Sequence, residues 1–398
     1  MRLGIVSSFP PSKITLNEYA YHLVKGFVSL NEIEEVILFC DKTAEDKTLD
    51  FPFADKVKIV ECWNFNSYQN AYTVSKAVKF HKPDQVLFNL QFMKFGDKKI
   101  VAALGLMLPF ILKIMKIPTT VLIHNILETV DLESAGFTNN KLLQKAYGFI
   151  GYCLTQFILS ANTVAVTIPK YKKILEQKYN VNNVIVIPHG TFELPKKPSH
   201  IPSYPVKKVM TFGKFGTYKK VEILIEAVKK VRKEFNETIE VVIAGTDNPN
   251  TPNYLKNVKE KYHNVPNLTF TGYVPEEKVA DIFEESTIIA FPYTSTTGSS
   301  GVLHQAGSYG KAVVLPNIGD LKELIHDEGY DGEFFNATCA NSLATAIKNI
   351  LINPTYRLTL EKTNYKAATA YPMQKICNMY LQVFSKMEQK CSLNNVLV

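Results

Sequence analysis

The stretch Thr297-Gly298-Ser299-Ser300-Gly301-Val302-Leu303-His304-Gln305, continued by Ala306-Gly307-Ser308-Tyr309-Gly310-Lys311-Ala312-Val313-Val314, decides how this chain is read. An apolar run from Thr287 to Phe291 enters it and a second, from Ala312 to Leu315, leaves it. Between them lies a Gly/Ser turn that opens a short helical pattern, so the whole reads as strand, turn, helix, strand. A helix that starts on small residues at the carboxyl end of a strand presents unbonded backbone N–H groups and the positive end of its dipole, a combination suited to phosphate.

Outward from this stretch the same rhythm recurs. Short apolar runs at Lys208–Phe212, Glu240–Ala244 and Asn267–Phe270 precede it, separated by amphipathic segments at Val221–Phe235, Tyr254–Tyr262 and Glu276–Glu284, and a further helix is expected at Asn341–Leu351. The first half repeats the alternation, with strands expected at Arg2–Ser7, Glu35–Cys40, Val57–Cys62, Gln85–Leu90, Thr119–His124, Thr163–Val166 and Val184–Ile187. Leu16–Leu30 and Lys141–Ser160 read as helices, and a tail helix is expected from Pro372 to about Met387, frayed beyond it. Alternation of this kind predicts α/β architecture: two Rossmann-like, doubly wound parallel-sheet domains. Ligands in such sheets bind at the carboxyl ends of the strands, which predicts a site where the two domains face each other. The boundaries expected are a first domain over residues 1–193, a linker over 194–206 holding four prolines, a second domain over 207–371 and a C-terminal helix over 372–398 that crosses back to the first domain.

Composition narrows the function classes. The 398 residues are 46% hydrophobic and 21% charged, ordinary globular values that exclude a disordered chain. The formal charge of +8 is spread without a Lys/Arg block, which argues against a nucleic-acid partner and suits phosphate-bearing ligands. Six cysteines (Cys40, Cys62, Cys153, Cys339, Cys377, Cys391) lack CxxC spacing and read as buried free thiols of a reducing compartment. The opening Met1-Arg2-Leu3-Gly4-Ile5-Val6 reads as a buried strand rather than a signal peptide, so a cytoplasmic location is expected, with the inner face of a membrane an option. The apolar stretch Ile100–Met115 is interrupted by Pro109 and Lys113 and is too short for a span. With Leu142–Leu159 and the nearby Lys98, Lys99, Lys113, Lys116 and Lys145, two readings stay open: helices packed on the sheet, or a peripheral contact with a membrane and a lipid-linked acceptor.

Chemistry concentrates after the first strand of the second domain, in Gly213-Lys214-Phe215-Gly216-Thr217-Tyr218-Lys219-Lys220-Val221. Two glycines bracket a turn flanked by cations at a helix start. Basic residues there oppose the helix dipole, which favours an anionic ligand over a merely solvated surface. This Gly-Lys-x4-Lys pattern, Phe270-Thr271-Gly272-Tyr273-Val274-Pro275, the opening stretch, Pro188-His189-Gly190 and Gly319-Asp320-x2-Glu323 together resemble glycosyltransferase family 4.

The resemblance implies the GT-B fold and a retaining, metal-independent transfer of a hexose from a UDP- or GDP-sugar, a co-substrate rather than a cofactor, to a glycan, glycolipid or small-molecule hydroxyl. The first domain would then bind acceptor and the second the nucleotide-sugar. Residue by residue it implies that Lys214 and Lys219 contact the donor diphosphate, that Tyr273 and Val274 lie by the base, and that Gly213, Ser299, Ser300, Gly301 and Val302 line the phosphate and sugar. It assigns His124, at the end of its strand, to a sugar contact, a satisfied structural histidine being the plainer alternative, and it places Glu323 among the donor-binding residues. Asn17, Glu18 and His189 are acceptor-side candidates; N-capping for Asn17 and Glu18 and a structural turn for His189 are the plainer alternatives. The chain also departs from the family. Where two glutamates are usual it has Thr297 and Gln305, with His304 beside the second, and Ile14-Thr15 stands where Gly-Gly is common. A non-catalytic partner or regulatory subunit of the same fold is therefore the alternative; an epimerase of the same fold lacks the acid/base carboxylates it needs. No Asp-x-Asp pair occurs in the chain, so no metal site is expected.

Overall fold

The computed structural model describes residues 1–47, 49–129, 141–192, 198, 206–235, 238–248, 251–295, 300–319 and 321–396. The expected linker over 194–206 thus lies almost wholly outside the described residues, as do Thr297, Ser299 and Asp320.

The chain separates into two compact units, Met1–Phe192 with Met373–Val398, and Glu193–Pro372. In the first unit the strands are β1 (Arg2–Val6), β2 (Glu35–Asp41), β3 (Val57–Trp63), β4 (Gln85–Leu90), β5 (Thr119–Ile123), β6 (Thr163–Val166) and β7 (Val184–Val186). Its helices are α1 (Asn17–Val28), α2 (Asn70–His81), α3 (Lys99–Leu106), α4 (Leu108–Ile114), α5 (Lys141–Leu159) and α6 (Pro169–Tyr179), with the chain's last helix, α14 (Met373–Val396). In the second unit the strands are β8 (Lys207–Phe215), β9 (Ile239–Asp247), β10 (Leu268–Gly272), β11 (Ile288–Ala290), β12 (Ala312–Pro316) and β13 (Glu333–Phe335). Its helices are α7 (Val221–Glu234), α8 (Tyr254–Lys261), α9 (Glu276–Glu284), α10 (Gly301–Ser308), α11 (Leu321–Asp327), α12 (Ala340–Ile352) and α13 (Pro354–Ala370).

Both sheets are parallel. Their orders are β3-β2-β1-β4-β5-β6-β7 and β10-β9-β8-β11-β12-β13. The central strands read as unbroken apolar runs because helices cover both faces: every residue of β4 and β5 is buried. In each sheet the order reverses between two neighbours, β1 and β4 in the first and β8 and β11 in the second. The loops after those strands diverge to opposite faces and leave a crevice at the carboxyl edge, which is where doubly wound sheets hold ligands.

Four local expectations are corrected. Ile100–Met115 is two helices, because Pro109 near the start of α4 has no N–H for the preceding turn and restarts the helix. The tail helix continues past Met387 to Val396. Among the cysteines only Cys40 and Cys377 are fully buried; Cys62, Cys153 and Cys339 are half-buried, and the side chain of Cys391 lies outside the described set. Asn17 is not a cap: Leu16 occupies that position with left-handed backbone, and the Asn17 amide donates 2.5 Å to the carbonyl of Ser12, tying down the loop after β1.

Helix α14 completes the first unit by packing on α1. Phe27 of α1 lies between Tyr380 and Phe384, with ring centroids 6.2 Å from each. The two backbones approach closely at Gly26, where an added Cβ would stand 2.6 Å from the sulfur of Cys377. Gly26→Val should therefore destabilise the chain by about 1–3 kcal/mol through overpacking, read as a lowered midpoint in chemical denaturation. An unchanged midpoint would show that the α1–α14 seam yields.

Candidate active site

In the second unit the site is built at the switch between β8 and β11. Lys214 projects exposed near the end of β8. The chain then turns through Gly216 and folds back, so that Lys219 pairs antiparallel with Tyr293, just beyond β11. Backbone bonds from Lys220 N to the Pro292 carbonyl (2.9 Å) and from Thr294 N to the Tyr218 carbonyl (2.8 Å) lock the two segments together.

The Lys219 side chain is only 7% exposed. Its ammonium lies 4.8 Å from the ring centre of Tyr293 and 5.9 Å from that of Tyr218. Among the described residues it meets no carboxylate. Burial lowers its pKa, and the neighbouring Tyr218 opposes that shift. Gly213 makes the position possible twice over. Its φ of 131° is one that side chains rarely adopt, and a Cβ there would stand 2.7 Å from the Lys219 nitrogen. A desolvated ammonium that meets only aromatic faces among the described residues suits an anionic ligand.

Tyr293 carries this cation to the opening turn. Its hydroxyl is 3.4 Å from Oγ of Ser300, the residue that caps α10. Intrahelical bonding begins with Leu303 N and His304 N, both to the Ser300 carbonyl, at 2.8 and 3.4 Å. Among the described residues the N–H groups of Gly301 and Val302 meet no backbone acceptor, in keeping with the first turn of a helix. A Cβ on Gly301 would meet nothing within 4 Å among the described residues.

The remaining expected residues fall around this core. Gln305 is half-buried one turn above Gly301, on the same side of α10. His304, about one hundred degrees round the helix from Gln305, turns inward. It is buried, with Nδ1 3.0 Å from the Tyr330 hydroxyl and Nε2 3.6 Å from a Glu328 carboxylate oxygen. The structure therefore brings Gly213, Lys219 and, through Tyr293, Ser300 together, with Gly301 and Val302 next in the chain and Gln305 a turn further along α10, and ties His304 to the body of the unit. Tyr273, 76% exposed, and Val274 follow β10, two strands away from β8; Glu323 lies exposed in the first turn of α11 after β12. All stand at carboxyl ends of strands. Tyr293, on which the arrangement hinges, escaped the sequence reading; Phe291-Pro292-Tyr293 directly after a buried strand was the available signal.

The first unit carries its own polar cluster at the switch between β1 and β4. The Nε2–H of His124, just past β5, donates to Oδ1 of Asn89 at 2.7 Å. The Asn89 amide nitrogen donates in turn to Ser7 Oγ (3.0 Å) and the Leu16 carbonyl (3.2 Å), which fixes its orientation. His124 therefore turns Nδ1, a lone pair, away from Asn89. Tyr19 packs edge-on against both His124 and His189, at 4.6 and 4.8 Å, and donates its hydroxyl to the His189 carbonyl. Nδ1 of His189 lies 3.0 Å from the Gly190 carbonyl, to which it donates. Asn17 and Glu18 begin α1 at the rim, Asn17 half-buried and Glu18 exposed. Beneath the cluster, the ammonium of Lys94, 1% exposed, donates to Ser8 Oγ (2.5 Å), the Thr15 carbonyl (2.8 Å) and Ser7 Oγ (3.3 Å). Burial brings its pKa down to about 7 despite the favourable charge of Asp41. The sequence reading missed Lys94 and Asn89: a lysine inside Gln91-Phe92-Met93-Lys94-Phe95-Gly96 looks like any surface lysine.

Residues 206–353 match the family model described as "Glycosyl transferases group 1". No curated protein sequence matches the chain. Among solved structures, sucrose-phosphate synthase from Thermosynechococcus elongatus superposes with a TM-score of 0.71 at 15% identity, over 98% of this chain and 100% of that one. Anabaena HepE, in complex with UDP and glucose, gives 0.67 at 17% identity, over 97% and 100%. WaaG, a glycosyltransferase involved in lipopolysaccharide biosynthesis, gives 0.65 at 12%, over 96% and 99%. The chain has the GT-B fold. On the family match, its C-terminal unit is a glycosyltransferase domain. Among the described residues no group of three or more His, Cys, Asp or Glu side chains could hold a metal ion.

The two histidines give the first unit a pH signature. Burial lowers the pKa of His189 to about 4 and that of His124 well below its ordinary value, the latter aided by His189 and Lys94. Unfolded histidine takes its proton near pH 6.5, so the unfolded chain binds more protons between about pH 6.5 and 4 and stability falls as pH drops through that window. Denaturation at pH 7 and at pH 4.5 should differ by about 1–3 kcal/mol, and His189→Gln should shrink that difference. Equal stability at both pH values would place both rings in solvent.

Proposed function

We propose that this protein transfers a hexose from a nucleotide diphosphate sugar to an acceptor hydroxyl, with retention of configuration and without a metal ion. The observation that carries the reading is the Lys219–Tyr293–Ser300 arrangement. It holds a desolvated ammonium beside the free N–H groups of a helix start, with no acidic side chain among the described residues to satisfy it. As the bond from the anomeric carbon to the phosphate oxygen breaks, negative charge grows on the departing diphosphate. Fixed donors and a buried cation stabilise that charge without reorganising. Lys214, exposed on the same strand end, adds a second cation.

In this scheme the acceptor hydroxyl attacks on the face the diphosphate leaves, and its proton passes to the leaving phosphate oxygen; no carboxylate is required. Gln305 serves the ribose hydroxyls through its amide, and Tyr273 and Val274 serve the base. His124 offers Nδ1 to a sugar hydroxyl, and Asn17, Glu18 and His189 belong to the acceptor side. HepE's complex with UDP and glucose favours a UDP-sugar as the first donor to try.

Thr297 and Gln305, standing where family 4 usually has glutamates, favour one second reading: a catalytically silent relative that binds the nucleotide and regulates a partner. Incubation with a panel of UDP- and GDP-sugars without metal, scored for release of nucleotide diphosphate and for thermal shift, separates the two. Turnover is expected; a thermal shift without release or transfer for any donor selects the silent relative, and no shift at all overturns both. Lys219→Ala should lower transfer at least about tenfold, since a charge-assisted phosphate contact contributes roughly 1.5–3 kcal/mol. Unchanged turnover removes Lys219 from the site.

A further inference from the structure

The outer surface of the first unit is unlike the rest of the molecule. The connections β3→β4, β4→β5 and β5→β6 all step in one direction along the sheet, so right-handed crossovers put α2, α3, α4 and α5 on a single face. The four helices form one layer, α2 packing on α3 and α4, and α5 on both of the latter. The inner side of that layer is ordinary core, with Phe110 of α4 against Phe157 of α5 at 5.3 Å.

Its outer side is apolar and basic at once. Phe80 is 79% exposed, Phe149 69%, and Ile100 and Ile114 66% each; Leu143 and Ile150 are nearly half exposed. In the second unit only Tyr218, Tyr273 and Ile352 are comparably exposed large hydrophobics among the described residues. The sequences of α2 to α5 contain no Asp or Glu, while lysines occur on all four. Lys99 of α3 knits the surface by donating to the Tyr147 hydroxyl of α5 at 2.9 Å. Of the acids near these helices, Asp84 after α2 accepts from the Arg2 backbone, Glu128 turns inward to Tyr179 and Lys178, and Glu176 of α6 pairs with Lys172; Asp97 is exposed just before α3, and Asp131 and Glu133 lie outside the described residues.

We propose that this face docks on a lipid bilayer whose surface carries anionic headgroups. Apolar side chains ringed by lysines, with no carboxylate on the four helices, match the interface of such a bilayer: the rings and branched chains enter the acyl boundary and the ammonium groups stay among the phosphates. A second copy of this chain would bring lysine against lysine. The contact is peripheral, as no helix among the described residues is long and apolar enough to cross a membrane. The proposal stands apart from the glycosyl-transfer reading, since its assay needs no donor.

The test is co-sedimentation of the full chain with vesicles of phosphatidylcholine alone and of phosphatidylcholine with one-third phosphatidylglycerol, at low and high salt. Partition is expected into the anionic vesicles and to weaken with salt. Lys79→Gln with Lys113→Gln and Lys145→Gln should reduce it at least about tenfold, each lysine near an anionic surface contributing roughly fivefold. Phe149→Ser with Ile150→Ser should reduce it at both salt concentrations. Both sets lie at exposed positions, and unchanged thermal melting shows that they fold. Absence of binding, equal binding to the two vesicle types, or binding unmoved by both variants overturns the proposal. So does concentration-dependent self-association abolished by Phe149→Ser with Ile150→Ser, which would assign the face to a second copy.

Discussion

A buried ammonium facing aromatic rings instead of a carboxylate is the constraint around which the second unit is organised. Lys219 reaches its place only because the chain reverses after β8, because Gly213 leaves room for the nitrogen, and because Tyr293 supplies a ring beneath it. The cost to the protein is a charge taken out of water without a counter-ion among the described residues. The same tyrosine touches the cap of α10, so the cation and the helix's free donors cannot drift apart. An anion that binds both repays the desolvation in one step, which is the logic of a preorganised site.

The first unit solves the same problem in the opposite way. Lys94 is as deeply buried as Lys219, but three oxygen acceptors surround it. Its hydrogen bonds run through Ser7 to Asn89 and from there to His124, so one internal cation orders the loops after β1 and β4 and sets the tautomer of a ring at their rim. Ile14-Thr15 lies in this loop, and the Thr15 carbonyl is one of the acceptors of Lys94. The loop is held by a side chain from below rather than relaxed by glycine.

The architecture was legible because parallel strands buried on both faces leave a strong mark: unbroken apolar runs such as Val86–Leu90 and Ala312–Leu315, spaced by helical patterns. The start of α10 after β11 was legible for a similar reason, since serine and glycine mark the point where a helix begins. What stayed hidden depends on direction. Whether His304 or Gln305 faces the open side of α10 is a matter of one hundred degrees of helical rotation, and the spacing alone does not say where zero lies. Tyr293 and Lys94 matter because of what lies across the fold from them, at Lys219 and at Ser7 and Ser8. No local pattern announces such partners. The split of Ile100–Met115 into two helices was announced by Pro109, whose effect on backbone bonding is local.

The seam between α1 and α14 joins the beginning of the chain to its end. A ribosome releases α1 early, yet the surface formed by Leu23, Gly26 and Phe27 finds its cover only after the whole second unit has been made. The unit translated first is therefore the one finished last. During that interval the second unit, contiguous in sequence, is free to fold by itself while the first waits with an open flank. A nascent first unit thus carries an exposed apolar flank until α14 emerges.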